Sequence, residues 1–272
     1  MVDFLDIIYN CPSSKPLLPL AHTTKSDNLD SIVMSGLKKD SNKGVGLFFY
    51  YGLPFFIINE RVDFKKNPCS VDISFSKPMG LLVKSDAIKY AKKIYPFDSG
   101  GYKKFRHLLN DDSIILQNFE IKNEEYFFNK EVPSKIVTRY FSNNKGYVNG
   151  NSTANFNTYP YICSGNIDNR DQLLDRLYKS EENEQADWRK RAIEVLIHQD
   201  IDFEYIEVII LSSPIHLPIN DDFNRKISKF NVKIIYYDED EYDSVPKDFG
   251  PKNDYILLHE KVKNYLSISK KL

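Results

Sequence analysis

A single carboxylate interrupts the apolar run Ile193-Glu194-Val195-Leu196-Ile197. The run is too β-branched for a comfortable helix, so Glu194 belongs on a strand. Two placements satisfy it there. On the wet face of a half-buried strand it is an ordinary surface glutamate, with Ile193, Val195 and Ile197 turned to the core. Inside a cleft it must be hydrogen-bonded, and its proton affinity then follows those surroundings, which suits acid–base or electrostatic chemistry. Upstream, His22 ends an apolar segment and is followed by Thr23 and Thr24. An imidazole beside hydroxyls either orients a polar ligand or caps the strand end. Tyr50 and Tyr51, in the run Leu47-Phe48-Phe49-Tyr50-Tyr51, offer flat faces for stacking on a planar ring or plain core bulk.

These residues need elements to hold them. Residues 17–21 read as a short strand ending at His22, which Pro19 confines to an edge. Ser26 or Asp27 caps a helix with the stripe Leu29, Ile32 and Val33, and Gly36 stops it. The aromatic run in 44–56 is a buried strand that turns into a loop at Gly52 and Pro54. Further strands are expected at 69–75 and 80–83, and a short helix at 85–93. Residues 143–157, rich in Asn, Gly, Ser and Thr, form a loop. Asp168 or Asn169 caps a helix with the apolar face Leu173, Leu174 and Leu177. Strands at 192–197, 206–211 and 232–237 precede a closing helix at about 254–265. With no internal repeat or linker, residues 1–272 are expected to be a single domain of α+β class.

Composition narrows the function. The 272 residues carry 37 Lys+Arg against 38 Asp+Glu, so the chain is neither disordered nor generally basic. The balance conceals a segregation. Residues 61–106 hold eleven basic and four acidic residues, whereas 200–250 hold five and twelve. The basic stretch is interleaved with Phe64, Phe75, Tyr90, Tyr95, Tyr102 and Phe105, a pattern that suits phosphate contacts and base stacking or simply solvated faces with aromatics turned in. Cys11, Cys69 and Cys163 are scattered, and the five histidines show no ligand spacing, so no disulfide framework and no metal are expected. No run reaches the ~18 apolar residues of a membrane span, and no leader is apparent, so the protein is expected to be cytoplasmic.

The order of the blocks adds information. His22-x-Thr24, Asn28-Leu29-x-x-Ile32, Gly36-Leu37, Gly44-x-Gly46-Leu47-Phe48-Phe49 and a distant Arg191-Ala192-Ile193-Glu194-Val195-Leu196 together resemble the ADP-ribosyltransferase superfamily. The likeness is nearest to the DarT-type DNA-modifying toxins, with Ile193 where that family has alanine, and it covers about half the chain. It implies an ADP-ribosyltransferase-like split β-sheet core with flanking helices, and NAD as substrate. It implies that His22 and Thr24 hold the ribose and amide side of NAD, and that Asn28 contacts the dinucleotide. Phe48, or Tyr50 or Tyr51 in a shifted register, would stack on nicotinamide. Glu194 would be the catalytic acid of the last motif, lining one cleft with His22 and the stacking aromatic.

The chemistry explains these types. Breaking the bond to nicotinamide leaves positive charge on the ribose ring, which a nearby carboxylate stabilises while it orients the nucleophile. The family's arginine after the first helix is replaced by Lys38, Lys39 and Lys43, which lack the fixed fork for pyrophosphate. The segment Tyr95-Pro96-Phe97-Asp98-Ser99-Gly100-Gly101 has no counterpart in that family. Arg189, Lys190 and Arg191 either position a phosphate or solvate a helix end. The resemblance implies a nucleic acid, DNA or RNA, as acceptor, and an antitoxin protein as partner, in a toxin or defence role. The alternatives are modification of protein side chains, a non-catalytic nucleic-acid- or protein-binding module, or a relative of the RNA 2′-phosphotransferases.

Overall fold

The computed structural model describes residues 3–39, 46–54, 77–109, 113–123, 129–152, 169–180, 188–213, 221–238, 240–241 and 254–272. Eight strands form one sheet: Leu20–Lys25 (β1), Leu47–Tyr51 (β2), Pro78–Val83 (β3), Ala91–Tyr95 (β4), Ile121–Lys122 (β5), Glu194–Ile197 (β6), Ile206–Ser212 (β7) and Lys233–Tyr237 (β8). Their order is β5-β4-β6-β2-β1-β3-β7-β8, and all neighbours are antiparallel except β7 and β8. Around them lie α1 (Phe4–Asn10), α2 (Leu29–Ser35), α3 (Tyr102–Phe105), α4 (Val132–Phe141), α5 (Asn144–Val148), α6 (Asn169–Lys179), α7 (Asp221–Phe230) and α8 (Asp254–Ile268). The class is α+β, as the sequence indicates.

The sheet is continuous but nearly parted at its centre. β1 meets β2 only through Leu20 opposite Tyr51 and Ala21 opposite Tyr50. Beyond Ala21, β1 stays paired with β3 as far as Lys25, while residues 47–49 of β2 stay paired with β6. A notch therefore opens between His22–Lys25 on one side and residues 47–49 on the other.

β1 starts at Leu20 and runs through His22, later than expected, and it is central rather than an edge. Pro19 sits just before the strand, where its missing N–H costs no ladder bond. α2 follows a 3₁₀ turn over Ser26–Asn28, so Asn28 takes the N-cap position, with no side-chain cap bond. Gly36 ends α2 at φ 76°, and a Cβ there would lie 2.2 Å from the Ile201 carbonyl oxygen, so only glycine fits. The expected helix at 85–93 is a 3₁₀ turn over Ser85–Tyr90 followed by β4. The expected loop after 143 begins with α5, because the Asn143 side chain accepts from the Gly146 N–H and nucleates a turn. α6 buries Leu173, Leu174 and Leu177, as its periodicity requires. The strand expected at 69–75, together with Cys69, Cys163, Phe64 and Phe75, lies outside the described residues.

Much of the aromatic content is core, and tyrosine serves there because its hydroxyl ties backbone ends. Tyr147 donates to the Tyr51 carbonyl at 3.0 Å, Tyr178 to that of Pro96 at 2.6 Å, and Tyr237 to that of Pro78 at 2.7 Å. A charged pair is fully buried: Arg139 of α4 donates to Asp171 of α6, whose carboxylate also accepts from the Tyr140 hydroxyl at 2.7 Å.

Candidate active site

Glu194 opens β6 in a cross-strand row between Tyr50 of β2 and Tyr95 of β4. Residues directly opposite one another present side chains to the same face, so these three rise together. Two residues along, the pleat returns Phe48 and Leu196 to that face, both half-buried. The surface-glutamate placement is therefore excluded: Glu194 is 1% exposed.

The turn after β4 covers the row. Asp98 caps a 3₁₀ turn over Ser99–Gly101, accepting from the Gly100 N–H at 3.0 Å. Ser99 then holds the Glu194 carboxyl from both sides. Its hydroxyl donates to Oε1 at 2.6 Å and its N–H to Oε2 at 3.2 Å. The Asp98 carboxyl is near enough for its charge to bear on both Glu194 and the Tyr50 hydroxyl. Arg189, from the turn before β6, brings Nε to 3.7 Å from Asp98 Oδ2, and its carbonyl accepts from the Asp98 N–H at 3.0 Å.

Burial dominates the electrostatics. It pushes the Glu194 carboxyl from 4.5 up to about 8, with the Asp98 charge adding to the effect and the two Ser99 donors opposing it. The Tyr50 phenol is driven well above its ordinary value, first by burial and then by Asp98 and Glu194.

His22 stands at the notch. Its Nδ1 lies 2.8 Å from the Phe48 carbonyl oxygen, in place of a ladder bond that the parted strands no longer make. A carbonyl only accepts, so Nδ1 carries the proton and Nε2 of the neutral ring is left as an acceptor. Burial holds the imidazole pKa below 6.5, which keeps the ring neutral. Ala21, Tyr50 and Glu194 form one row across β1, β2 and β6. Two strand spacings put the backbones of His22 and Glu194 about 10 Å apart. The pleat turns the His22 ring to the other side of that row, where it meets Phe49 at 5.3 Å between centroids. The His22 ring and the Glu194 carboxyl therefore stand on opposite faces of the sheet, and the single cleft expected for them is not formed by these two side chains. The Asn28 side-chain amide donates to Thr24 Oγ1 at 2.8 Å.

Several expected ligand groups have other employment. Tyr51 faces away from Tyr50, fully buried, with its hydroxyl accepting from the Leu18 N–H at 2.9 Å. The register puts it in the core, not on a pocket wall. Tyr50 acts through its hydroxyl on Asp98, which leaves Phe48 as the half-buried ring on this face. The trio before β6 clamps the fold: Lys190 is buried on the carbonyl and hydroxyl of Ser180, Arg191 donates to the Tyr178 carbonyl, and Arg189 pairs with Asp98. Lys38 pairs with Asp200 at 3.1 Å. The sequence alone does not mark Asp98, Ser99 or Arg189 as site residues. The signal was the turn chemistry of Asp-Ser-Gly-Gly inside the segment without a family counterpart.

Among the described residues, no helix is long and apolar enough to cross a membrane, and no group of three or more His, Cys, Asp or Glu is arranged to hold a metal. Cys11 is buried on the Ile7 carbonyl, and burial pushes its thiol up to about 11, which makes it unreactive.

No protein-family model matches the chain, and no curated protein matches it. Among solved structures the chain is similar to Thermosipho africanus DarTG in complex with ADP-ribose, at 11% identity and a TM-score of 0.34. The match covers 85% of this chain and 51% of that one, so the chain spans about half the length of that protein.

Proposed function

We propose that the protein is an NAD-dependent mono-ADP-ribosyltransferase of α+β fold, with Glu194 as its catalytic acidic residue and a nucleic acid, DNA or RNA, as acceptor. The observation that carries this reading is the Glu194 carboxyl, buried at the start of a central strand and gripped from two sides by Ser99 beside aromatic rings. A buried carboxyl with a shifted pKa is costly in a merely structural role, and it suits a reaction that develops positive charge.

In that reaction the C1′–N bond of NAD breaks, and its electron pair stays on the ring nitrogen, so nicotinamide departs neutral. The nucleophilic atom of the acceptor bonds to C1′, and its proton passes to the carboxylate or to water. Ionised Glu194 faces the charge that builds on the ribose, in a site that excludes water and so strengthens the effect. Phe48 supplies a ring face for nicotinamide. The resemblance has His22 and Thr24 hold the ribose and Asn28 contact the dinucleotide; with His22 on the opposite face from Glu194, that role requires the ligand to span the parted strands β1 and β2.

Support for a nucleic-acid acceptor comes from the aromatic and basic surface at Tyr90 and Tyr205. Their rings meet edge to face at 5.7 Å, and Lys89 Nζ lies 4.8 and 5.3 Å from the two centroids. Such a surface fits a stacked base beside a phosphate. An enzyme of this kind calls for a neutralising antitoxin protein as its partner.

The test is incubation with NAD and separate DNA, RNA and protein acceptors, following nicotinamide release. Wild type is expected to release nicotinamide with a nucleic acid, and Glu194→Gln to lose about a thousandfold in rate, or about 4 kcal/mol of barrier. Labelling of protein alone would overturn the acceptor. A wild type that neither binds nor consumes NAD with any acceptor would overturn the enzyme.

A further inference from the structure

We propose that the Thr23 hydroxyl, standing across the notch from Phe48, recognises the carboxamide of a nicotinamide ring, so that Thr23 rather than Thr24 is the ligand-binding threonine of β1. The inference rests on the transferase reading of the site and deepens it. It names the residue that tells NAD from its nicotinamide-free remainder.

Register sets the placement. Ala21, Tyr50 and Glu194 form one row, and the pleat returns every second residue to the same face. Thr23 therefore belongs to the Glu194 face, one pleat further along β1. Were the β1–β2 ladder to continue, the partner of Thr23 would be Phe48, which itself lies opposite Leu196. The strands have parted there, so Thr23 and Phe48 flank the notch. Exposure rises in that direction: Tyr50 and Glu194 are buried, whereas Thr23, Phe48 and Leu196 are half-buried. A flat ring can thus approach this face beside Phe48, about 7 Å along the strands from the row of Glu194 and its covering turn.

The hydroxyl is unemployed. Thr23 Oγ1 is withdrawn from water and, among the described residues, has no hydrogen-bond partner. Its β3 side is apolar. Thr23 lies opposite Gly80, where a Cβ would meet Leu258 of α8 at 3.1 Å and Ile210 of β7 at 3.5 Å. A buried hydroxyl without a partner costs free energy, and valine would fill the same space on a strand without that cost. Thr24, by contrast, belongs to the other face and accepts from the Asn28 amide. One rotamer step about χ1 turns the Thr23 hydroxyl toward the notch. There it can donate to a carboxamide oxygen or accept from the carboxamide N–H. A lone neutral hydroxyl suits such an uncharged group, whereas a phosphate calls for positive charge.

The test sets Thr23→Val, which removes the hydroxyl and keeps the branched shape, beside Thr23→Ser, which keeps the hydroxyl. Without ligand, Thr23→Val is expected to melt about 2–4 °C above wild type, because it removes an orphaned polar group. In calorimetric titrations of the full chain, NAD should bind about tenfold more weakly to Thr23→Val and within about threefold of wild type to Thr23→Ser. ADP-ribose, which lacks nicotinamide, should bind Thr23→Val and wild type alike. A Thr23→Val protein that melts below wild type means that the hydroxyl already has a partner, and it overturns the inference. Unchanged NAD affinity in Thr23→Val does the same. So does an equal loss for NAD and ADP-ribose, or a loss in Thr23→Ser as large as that in Thr23→Val. Each of these leaves the transferase reading standing, whereas a wild type that binds no NAD overturns both.

Discussion

Replacing Glu194 by Gln should stabilise the protein, and the gain should grow with pH. Glutamine matches the protonated carboxyl in shape, can accept from Ser99 and can donate to Asp98, but it never ionises. The wild-type carboxyl titrates at about 8 in the fold against 4.5 unfolded, because burial and the Asp98 charge oppose its ionisation. A folded pKa raised in this way means that the folded state binds the proton more tightly. Stability from this source is complete below 4.5 and is lost as pH rises through 8. At 1.36 kcal/mol per tenfold, the wild type is disfavoured by about 1 kcal/mol at pH 5, about 3 at pH 7 and nearly 5 at pH 9.

Glutamine escapes that cost, so the stability difference between Glu194→Gln and wild type should widen by about 3–4 kcal/mol from pH 5 to pH 9. Urea denaturation followed by circular dichroism at pH 5, 7 and 9 measures it directly, since a pH-independent offset from altered packing cancels in the comparison. The same variant is the one expected to lose activity, so stability and function should move in opposite directions. A difference that stays constant with pH to within about 1 kcal/mol would refute the argument that Glu194 is held buried against its own charge.

Two predictions concern other buried groups. Asp171→Ala leaves the Arg139 guanidinium buried without its carboxylate and removes the acceptor of the Tyr140 hydroxyl, so it should cost about 3–5 kcal/mol in urea denaturation, and a loss below about 1 kcal/mol would contradict that pairing. His259 is buried in α8 with Nδ1 3.1 Å from the Pro54 carbonyl oxygen, and burial holds its pKa below 6.5. The unfolded chain therefore binds that proton more readily, and stability should fall as pH drops below about 6.5. His259→Gln should flatten part of this acid limb in thermal melts, with His22 accounting for a further part in the same direction, and an unchanged limb would contradict the role assigned to His259.

Periodicity and punctuation exposed elements whose local signals agree with their packing. The Leu29, Ile32, Val33 stripe ending at Gly36 is one, and the Leu173, Leu174, Leu177 face of α6 is another, because each buries a stripe of its own residues. β4 is hidden in the sequence for the opposite reason. Lys92 and Lys93 interrupt its apolar residues, and β4 exists because β6 and β5 flank it, a long-range cause that no local window contains. β1 likewise becomes central through pairing with residues 78–83 rather than through its own composition.

The site inherits the same division. A carboxylate in a β-branched run demands an explanation, yet the residues around Glu194 alone admit both placements and favour the surface one. What separates them is the turn at Asp98 and Ser99, about a hundred residues earlier, which only β4 can deliver over the head of β6. Burial of Glu194 is thus a property of the β4–β6 pairing. A substitution that loosens this pairing, and touches no site residue, should return the carboxyl toward water and toward 4.5. Lys93 opposite Leu196 is the natural position to try, since its ammonium is anchored at 3.0 Å on Glu120, which also accepts from the Tyr95 hydroxyl. The fold and the proton affinity of the site are in this sense one quantity, and that is why neither could be read without the other.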